Sequence, residues 1–223
     1  MKVHNDRYAV KYNSVNSPQV EMFMARSEQK RETRQRILDA AARGFRKGGF
    51  GGLGVDGLAR EAGVTSGAFY VHFKSKSDAF RESVAQGVAD VERGVRQFQT
   101  TSPKTWWSEF VRFYLGMKRK CELAESCGLQ SLASEVARAD AASRKAFTAE
   151  LMKVAQVIAE GPRPSDAPAT TEDAYIALST LIGTVTLTRA VDDASLANRI
   201  AAAAEAALLS QPQKPKRPKK SKG

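Results

Sequence analysis

Helical spacing of apolar residues recurs along almost the whole chain, and no segment sustains a period-two alternation of apolar and polar residues. Ile37, Ala41 and Phe45, for example, share one face of a helix predicted over residues 26–47. This first helix is predicted to stop at Gly48-Gly49, where Phe50 begins a glycine-rich loop. Further helices are predicted over residues 55–62, 66–72, 77–97, 104–123, 128–137, 141–159, 171–191 and 195–209. Ser77 is the predicted cap of the fourth helix, and Pro103 is suited to a first helical position before the fifth. The sequence therefore predicts an all-α fold of about nine helices.

The second and third predicted helices are separated by only three residues. Gly63 can end the second helix, and Thr65 is a good N-cap for the third. Leu58 and Phe69 supply apolar contacts between them, while residues 66–72 leave several side chains exposed. A short turn that lets one helix project from a small core is the pattern of a helix-turn-helix, which places a helix N-terminus against DNA.

The net charge of +11 is unevenly distributed along the sequence. Residues 1–76 carry 14 Lys/Arg and seven Asp/Glu, residues 77–210 carry 15 and 17, and residues 211–223 carry six basic side chains and no acid. A basic N-terminal part on a nearly neutral body indicates a module that binds a polyanion. We therefore expect a flexible extension at residues 1–26, a DNA-binding domain at 27–76, a ligand-binding and dimerisation domain at 77–210, and a disordered basic tail at 211–223. Met22 or Met24 is a candidate natural start, in which case residues 1–21 do not belong to the native protein.

Several functional classes are disfavoured by composition. No apolar stretch reaches the ~18 residues that cross a bilayer, and no secretory signal precedes the first helix. Two cysteines are too few for a disulfide framework, so a cytoplasmic location is expected. The two histidines, His4 and His72, have no cysteine or acidic cluster beside them, which argues against a metal site, a cofactor and a catalytic triad. We therefore expect that the protein is not an enzyme.

Several motifs together carry a family resemblance, which covers about residues 32–85. They are Ile37-Leu38-Asp39-Ala40-Ala41, Gly49-Phe50, Leu58-Ala59-Arg60-Glu61-Ala62-Gly63-Val64-Thr65, Gly67-Ala68-Phe69-Tyr70 and His72-Phe73-Lys74-Ser75-Lys76. This region resembles the DNA-binding domain of TetR/AcrR-type transcriptional regulators. The resemblance implies a homodimer that binds double-stranded DNA at a palindromic operator and is released from it by a small-molecule effector. It implies no cofactor and no membrane partner.

The resemblance also implies which residues contact DNA. Thr65 and the following helix N-terminus would lie on the phosphate backbone, with Ser66, Gly67 and Ala68 at base edges. Tyr70, His72, Lys74 and Lys76 would contact phosphates; the two lysines are also placed for this by their position after the third helix. Tyr70 can instead pack on its own helix, and His72 can cap or pack. Leu53 and Gly54 stand where the family usually has Ser or Thr, so that phosphate-binding hydroxyl is missing here.

The predicted helix over residues 171–191 carries two stripes suited to a dimer interface. Tyr175, Leu178, Ile182 and Val185 form the first stripe, and Ala174, Ala177, Leu181, Thr184 and Thr188 form the second. With the Ala-rich last helix they could form a four-helix interface between two chains. The alternative from periodicity alone is that both stripes face the chain's own core.

Aromatic residues crowd the fifth predicted helix, where Trp106, Phe110, Phe113 and Tyr114 are candidate effector-binding residues. Plain core packing is the alternative for this set. Cys127 precedes the helix that begins at Gly128, and a helix N-terminus favours the reactive thiolate. The segment from Cys127 to Val136 resembles N-ethylmaleimide-responsive repressors, which implies that Cys127 senses electrophiles. Cys121, six residues earlier, could resolve a sulfenic acid formed there. The alternative is that Cys127 is an inert small residue that fills the junction.

Three functions follow from these patterns. The first is a dimeric, sequence-specific regulator, most simply a repressor, that a small molecule or an electrophile releases from its operator. The second is a general nucleic-acid-binding architectural protein, which the overall charge and the basic tail favour. The third is a thiol enzyme built on the cysteine pair, although no histidine or paired carboxylate lies near either cysteine in the sequence.

Overall fold

The computed structural model describes residues 18–210, with side chains from Met22 onward, and every regular element within this range is a helix. The nine α-helices of the described range are α1 Pro18–Gly52, α2 Val55–Glu61, α3 Ser66–His72, α4 Lys76–Thr101, α5 Trp106–Phe113, α6 Gly128–Ala137, α7 Ala141–Glu160, α8 Thr171–Ala190 and α9 Ala194–Leu209. A π-helical segment, Tyr114–Lys118, continues α5, and a 3₁₀ turn, Leu123–Glu125, precedes α6. The predicted all-α fold is confirmed.

The first helix is longer than the sequence patterns predicted. Residues 18–26, which we expected to be flexible, belong to α1. Pro18 is suited to a first helical position because it lacks only an N–H that the helix start leaves unpaired, and no other proline follows before Pro103. Residues 1–17 of the predicted extension and the whole basic tail at 211–223 lie outside the described range.

The other end of α1 breaks at Gly49, as the sequence predicted, but it does not open into a loop. Gly49 has φ 67°, a left-handed conformation that favours glycine. Phe50 then begins one more helical turn, and its ring stacks against Phe45 and meets Phe80 edge-on at 5.2 Å. The aromatic contacts hold this turn where the glycine-rich sequence indicated irregular chain.

Two further helix starts differ from the predictions. The cap of α4 is Ser75 rather than Ser77: its hydroxyl accepts the N–H of Asp78 at 3.1 Å. Helix α5 begins at Trp106, so Pro103 is not at a first helical position; the N–H of Thr105 instead closes a turn onto Ser102. In contrast, Asp140 caps α7 at the boundary where it was expected.

Two hydrophobic clusters organise the helices. The N-terminal core joins α1 to α4 with α6, and the C-terminal core joins α4 to α9. Helix α4 belongs to both, since Phe80 and Val84 pack in the first and Val88 and Val95 in the second. The domain boundary between residues 76 and 77 therefore stays a prediction. Within residues 18–210 no helix is long and apolar enough to span a bilayer.

Candidate functional site

The turn between α2 and α3 fixes the angle at which α3 projects. Gly63 has φ 67° and donates its N–H to the carbonyl of Arg60, while the N–H of Val64 reaches the carbonyl of Ala59 at 2.9 Å. The Thr65 hydroxyl then accepts the N–H of Ala68 at 3.1 Å. Both signals in the sequence, the glycine and the cap, act as predicted in forming this turn.

One face of α3 is anchored and the other faces solvent. Phe69 and Phe73 are fully buried against Leu58 in the N-terminal core. Tyr70 is 56% exposed and Val71 67% exposed, and Gly67 is open as well. A rigid helix therefore presents an accessible surface whose shape is set by its buried aromatic pair.

Two of the predicted DNA-facing side chains already have partners in the chain. The Ser66 hydroxyl donates to the carboxylate of Asp56 at the start of α2. The Lys76 ammonium lies 4.7 Å from the centre of the Phe50 ring, a cation–π distance. Tyr70 packs edge-on against Phe69 at 5.6 Å, yet its exposed ring still leaves the hydroxyl on the surface. Lys74 is exposed.

His72 differs from its neighbours because it is half-buried beside cations. Burial lowers its pKa, and the charges of Lys30 and Arg34 lower it further. The imidazole is therefore neutral at pH 7. Lys30, exposed on α1, is a cation near the end of α3 that the sequence analysis missed. Its spacing of four residues before Arg34 was the available signal, and only the packing of α1 on α3 gives it meaning.

A cavity of about 250 Å³ lies between α4, the α5–π helix and the start of α6. Four of the five predicted effector residues line it: Phe110, Phe113, Tyr114 and Cys127. Trp106 is not among the lining residues. It is fully buried in the C-terminal core, and its indole N–H donates to the carbonyl of Pro162 at 2.7 Å. The sequence could not separate it from the others because they share one helical repeat.

Tyr114 and Cys127 lie together in the wall of the cavity. Burial raises the pKa of Tyr114 well above its usual value, and the neighbouring Cys127 thiol raises it further. The phenol is thus protonated at neutral pH. Within the described part of the chain its hydroxyl makes no hydrogen bond to nitrogen or oxygen, and the Cys127 thiol is its weak polar neighbour. Cys127 is only 8% exposed, and it stands at the N-terminus of α6, as the sequence predicted.

The cavity also contains a residue from the first helix. Arg46 of α1 lines it and donates from Nε to the carbonyl of Ala124 at 2.6 Å. Burial lowers the pKa of this guanidinium. Four residues further along, the N–H of Phe50 donates to the carboxylate of Glu135 in α6. The helix that carries the N-terminal core is therefore tied directly to the cavity wall.

The exposed apolar face of α8 is not the one that the sequence stripes indicated. All five residues of the second stripe, from Ala174 to Thr188, are buried in the chain itself, as are Leu178 and Val185 of the first. The accessible face instead runs through Ile176, Thr180, Gly183 and Leu187, one position per helical turn. The periodicity of α8 is too weak to show this, because apolar residues occur on all of its sides.

A projecting helix that a glycine turn sets on a small core, with cations behind it and a larger helical unit attached, is the arrangement of a helix-turn-helix DNA-binding domain. Residues 37–82 match the family model described as bacterial regulatory proteins, tetR family. Residues 37–82 therefore carry the DNA-binding domain of that family, and the chain as a whole is similar to TetR/AcrR-type regulators in its fold.

Individual relatives agree with this assignment. Over 55 residues, a quarter of this chain, the sequence is 49% identical to the HTH-type transcriptional regulator AcrR of Shigella flexneri, of which it covers 26%. A TetR-family regulator from Agrobacterium tumefaciens is 19% identical, with a TM-score of 0.64 over 81% of this chain and all of the other. NemR of E. coli in its reduced form is 16% identical, with a TM-score of 0.66 over 82% of this chain and all of the other. At these identities the two structures establish the fold alone, and the AcrR match spans about a quarter of that relative's length. The AcrR and Agrobacterium tumefaciens relatives are described as transcriptional regulators.

Proposed function

We propose that the chain is a cytoplasmic transcriptional repressor that binds a palindromic operator as a homodimer. The observation that supports this most strongly is the accessible face of α3, which follows the Thr65 cap and ends beside Lys74. The exposed N–H groups and dipole at such a helix start favour phosphate, and the side chains that follow reach base edges. Thr65, Ser66, Gly67, Ala68, Tyr70, His72, Lys74 and Lys76 are the proposed DNA-contacting residues.

The small side chains at the start of α3 indicate how sequence is read. Gly67 and Ala68 offer no hydrogen-bonding side chain, and the Ser66 hydroxyl is held by Asp56. Base reading would then rely on thymine methyl contacts and on DNA shape. On DNA binding, Asp56 would either release the Ser66 hydroxyl or remain close to the DNA. In the second case its charge would repel phosphates and restrict the positions that α3 can take along the duplex.

Binding-site selection from random duplexes tests the function. Selected sites are expected to be inverted repeats whose half-sites lie one helical turn apart, ~34 Å. At matched salt, the selected duplex should bind at least a thousandfold more tightly than a scrambled one. Equal affinity for both duplexes would instead favour the alternative, an architectural protein that binds nucleic acid by charge.

For the homodimer, we propose the accessible face of α8 together with α9. Ile176 and Leu187 are 66% and 57% exposed, and Gly183 between them leaves room for a second helix to approach closely. No atom lies within 4 Å of a methyl group placed at Gly183. Gly183→Glu should therefore fold as a single chain but sediment as a monomer at micromolar concentration.

Gly51→Glu is the matched control for this experiment. Gly51 is also helical and also has open space around it, but it lies near the end of α1. This variant should remain a dimer in sedimentation velocity. If Gly183→Glu is as dimeric as Gly51→Glu, the chain does not dimerise through this face of α8.

For release from the operator, we propose a ligand in the cavity between α4, the α5–π helix and α6. Helix α4 forms one wall of the cavity and also carries Phe80 in the N-terminal core. A ligand that moves α4 would therefore change the distance between the two α3 helices of the dimer. Arg46 gives a second connection through α1. A coupling of a few kcal/mol is enough for such a switch.

Cys127 supports a second trigger at the same place. Cys127 lines the cavity, so a small electrophile that enters could alkylate its thiol. Treatment with a quinone or maleimide should then weaken operator binding by the wild type and leave Cys127→Ser unaffected. An identical response of both proteins would assign the effect to another residue, with Cys121→Ser as the next variant to test.

A further inference from the structure

The size of the cavity limits what it can hold. Its volume of about 250 Å³ lies below the ~300–1,000 Å³ of pockets for drug-sized ligands. A compound of one or two rings fits this space. Part of the cavity mouth lies at Gly94 on α4, where a methyl group would meet no atom within 4 Å.

Aromatic side chains form one wall of the cavity. Phe98 of α4 meets Phe110 and Phe113 of α5 with ring centres 6.0 and 5.5 Å apart, and Phe110 contacts Tyr114 at 5.9 Å. Rings in edge-on and tilted arrangements leave faces and edges free for another ring. The wall therefore favours a flat aromatic ligand over a chain-like aliphatic one.

The Tyr114 hydroxyl supplies a polar group that lacks a strong partner. It is on a side chain only 3% exposed, and it makes no hydrogen bond to a nitrogen or oxygen of the described residues; the Cys127 thiol beside it is a weak partner. A buried polar group without a partner is costly, so such groups are usually satisfied by a ligand or water. Because the phenol is protonated, it can donate to an oxygen on the ligand.

The charges around the cavity favour an anion. Arg46 and Lys118 each donate to a backbone carbonyl, those of Ala124 and Glu125, and neither forms an ion pair within residues 18–210. Of the two acids in the lining, Asp90 is already paired with Arg93, which leaves the Glu125 carboxylate. Two cations to one unpaired acid match a single negative charge on the ligand.

We infer that the cavity binds a one- or two-ring aromatic carboxylate, with its ring against Phe98, Phe110 and Phe113 and its carboxylate at the Tyr114 hydroxyl. Arg46 and Lys118 balance the ligand's charge. This inference rests on the proposed function, because it names the class of effector that the regulator would sense. It also gives Arg46 a part in sensing, since the guanidinium belongs to the helix that carries the N-terminal core.

Isothermal titration calorimetry on the full chain tests the inference with 2-naphthoate as the probe. It should bind once per chain, and 2-methylnaphthalene, which has the ring but no oxygen, should bind at least tenfold more weakly. Tyr114→Phe keeps the ring and removes the hydroxyl, so its affinity for 2-naphthoate should fall roughly ten- to a hundredfold. Its affinity for 2-methylnaphthalene should stay within twofold of the wild type.

Two further variants locate the binding. Gly94→Leu places a side chain in the cavity mouth and should abolish binding of both compounds. Tyr175→Phe removes a hydroxyl from α8, away from the cavity lining, and should bind 2-naphthoate like the wild type. Thermal unfolding of each variant without ligand shows whether it is folded, and the pair of compounds distinguishes a lost hydroxyl from a deformed pocket.

Operator binding without ligand is measured in parallel for every variant. If the wild type binds its selected duplex and 2-naphthoate gives no heat, the inference is wrong and the proposed regulator stands. If Tyr114→Phe binds 2-naphthoate as the wild type does, the inference is equally wrong. If no duplex is preferred, the proposed function fails, while the calorimetry still decides whether the cavity takes an aromatic carboxylate.

Discussion

The DNA-facing surface and the cavity are built in opposite ways. Residues 65–76 supply nearly all of the surface, as one continuous stretch whose shape depends on a glycine turn and a cap. The cavity draws its lining from residues between Arg46 and Gly128, on α1, α4, α5, the π-helical segment and the loop before α6. The surface is a local structure, whereas the cavity exists only when distant helices have packed.

Because of this difference, substitutions in the two regions should have different effects on the free energy of unfolding. Exposed side chains on α3 contribute little to the free energy of unfolding, so substitutions there change DNA affinity alone. Most aromatic residues around the cavity are also part of the C-terminal core. Substitutions there therefore change ligand binding and stability together, unless they remove a single polar atom, as Tyr114→Phe does.

The largest effect is expected where the two faces of α3 are compared directly. Phe69→Ala removes a fully buried ring from the N-terminal core and should lower the free energy of unfolding by about 3–5 kcal/mol. Tyr70→Ala, one residue away and exposed, should change it by only about 0.5 kcal/mol. Urea unfolding followed by circular dichroism measures both.

Operator affinity should respond to the exposed residue of this pair, although the exposed residue contributes little to stability. Tyr70→Ala should weaken operator binding several-fold while the protein stays as stable as the wild type. If Tyr70→Ala has no effect on operator binding, the ring serves only to cover Phe69, against which it packs edge-on. That result would remove Tyr70 from the proposed contacts without touching the remainder of the surface.

A smaller effect is expected at the crossing of α4 and α6. A methyl group at Gly128 would lie 2.7 Å from the Cα of Gly87, and backbone cannot move aside as a side chain can. Gly128→Ala should therefore destabilise the chain by about 1–3 kcal/mol and alter the adjoining cavity. Gly94 lies on α4, two turns after Gly87, and faces open space. Gly94→Ala should therefore stabilise the chain by up to ~1 kcal/mol.

Opposite signs for these two alanines would show that the cavity depends on one close backbone contact. A Gly128→Ala variant as stable as the wild type would mean that α6 can shift away from α4 at little cost. Calorimetry with 2-naphthoate on the same variant would then show whether that shift closes the cavity.

What the sequence could predict follows the same division. The turn at Gly63, the Thr65 cap and the start of α7 at Asp140 depend on residues within four positions of one another, and the structure agrees with all three. The cap of α4 was misplaced by two residues because Ser75 and Ser77 are both suitable caps.

The errors concern contacts that sequence spacing does not encode. Trp106 shares a helical repeat with the cavity residues but is held by Pro162, 56 positions away. Arg46 was not singled out because nothing near it in the sequence indicates Ala124 as its partner. On α8, apolar residues occur on every side, so the periodicity could not tell the face against the core from the face at Ile176 and Leu187.

The N-cap of α3 offers a prediction of intermediate size. Thr65→Ala should cost about 1 kcal/mol of stability because the Ala68 N–H loses its acceptor. Thr170→Ala is its matched control: the Thr170 hydroxyl accepts the N–H of Asp173 at 3.1 Å at the start of α8, and it also donates to the Asp173 carboxylate. The two variants should unfold at similar urea concentrations.

Only one of the two caps lies on the proposed DNA surface. Thr65→Ala should therefore weaken operator binding roughly tenfold in fluorescence anisotropy, since a hydrogen bond to a charged phosphate is also lost. Thr170→Ala should bind the operator like the wild type. Equal losses in both would show that the effect passes through stability and that Thr65 does not touch DNA.

The smallest effect is expected from His72, through pH. Its folded pKa lies below the ordinary 6.5 because of burial and the charges of Lys30 and Arg34. The neutral imidazole therefore contributes stability that is present above pH 6.5 and is lost as the pH falls through the folded pKa. His72→Gln should reduce the loss of stability between pH 7 and pH 5, measured by urea unfolding.

Lys30→Gln separates the charge from the burial. Removing this cation should raise the pKa of His72 towards its ordinary value, which NMR titration of the imidazole measures directly. Burial remains in this variant, so the pKa should not return completely. If the pKa of His72 does not move, Lys30 is too distant to act on the end of α3. It would then not be a cation of the DNA-facing surface.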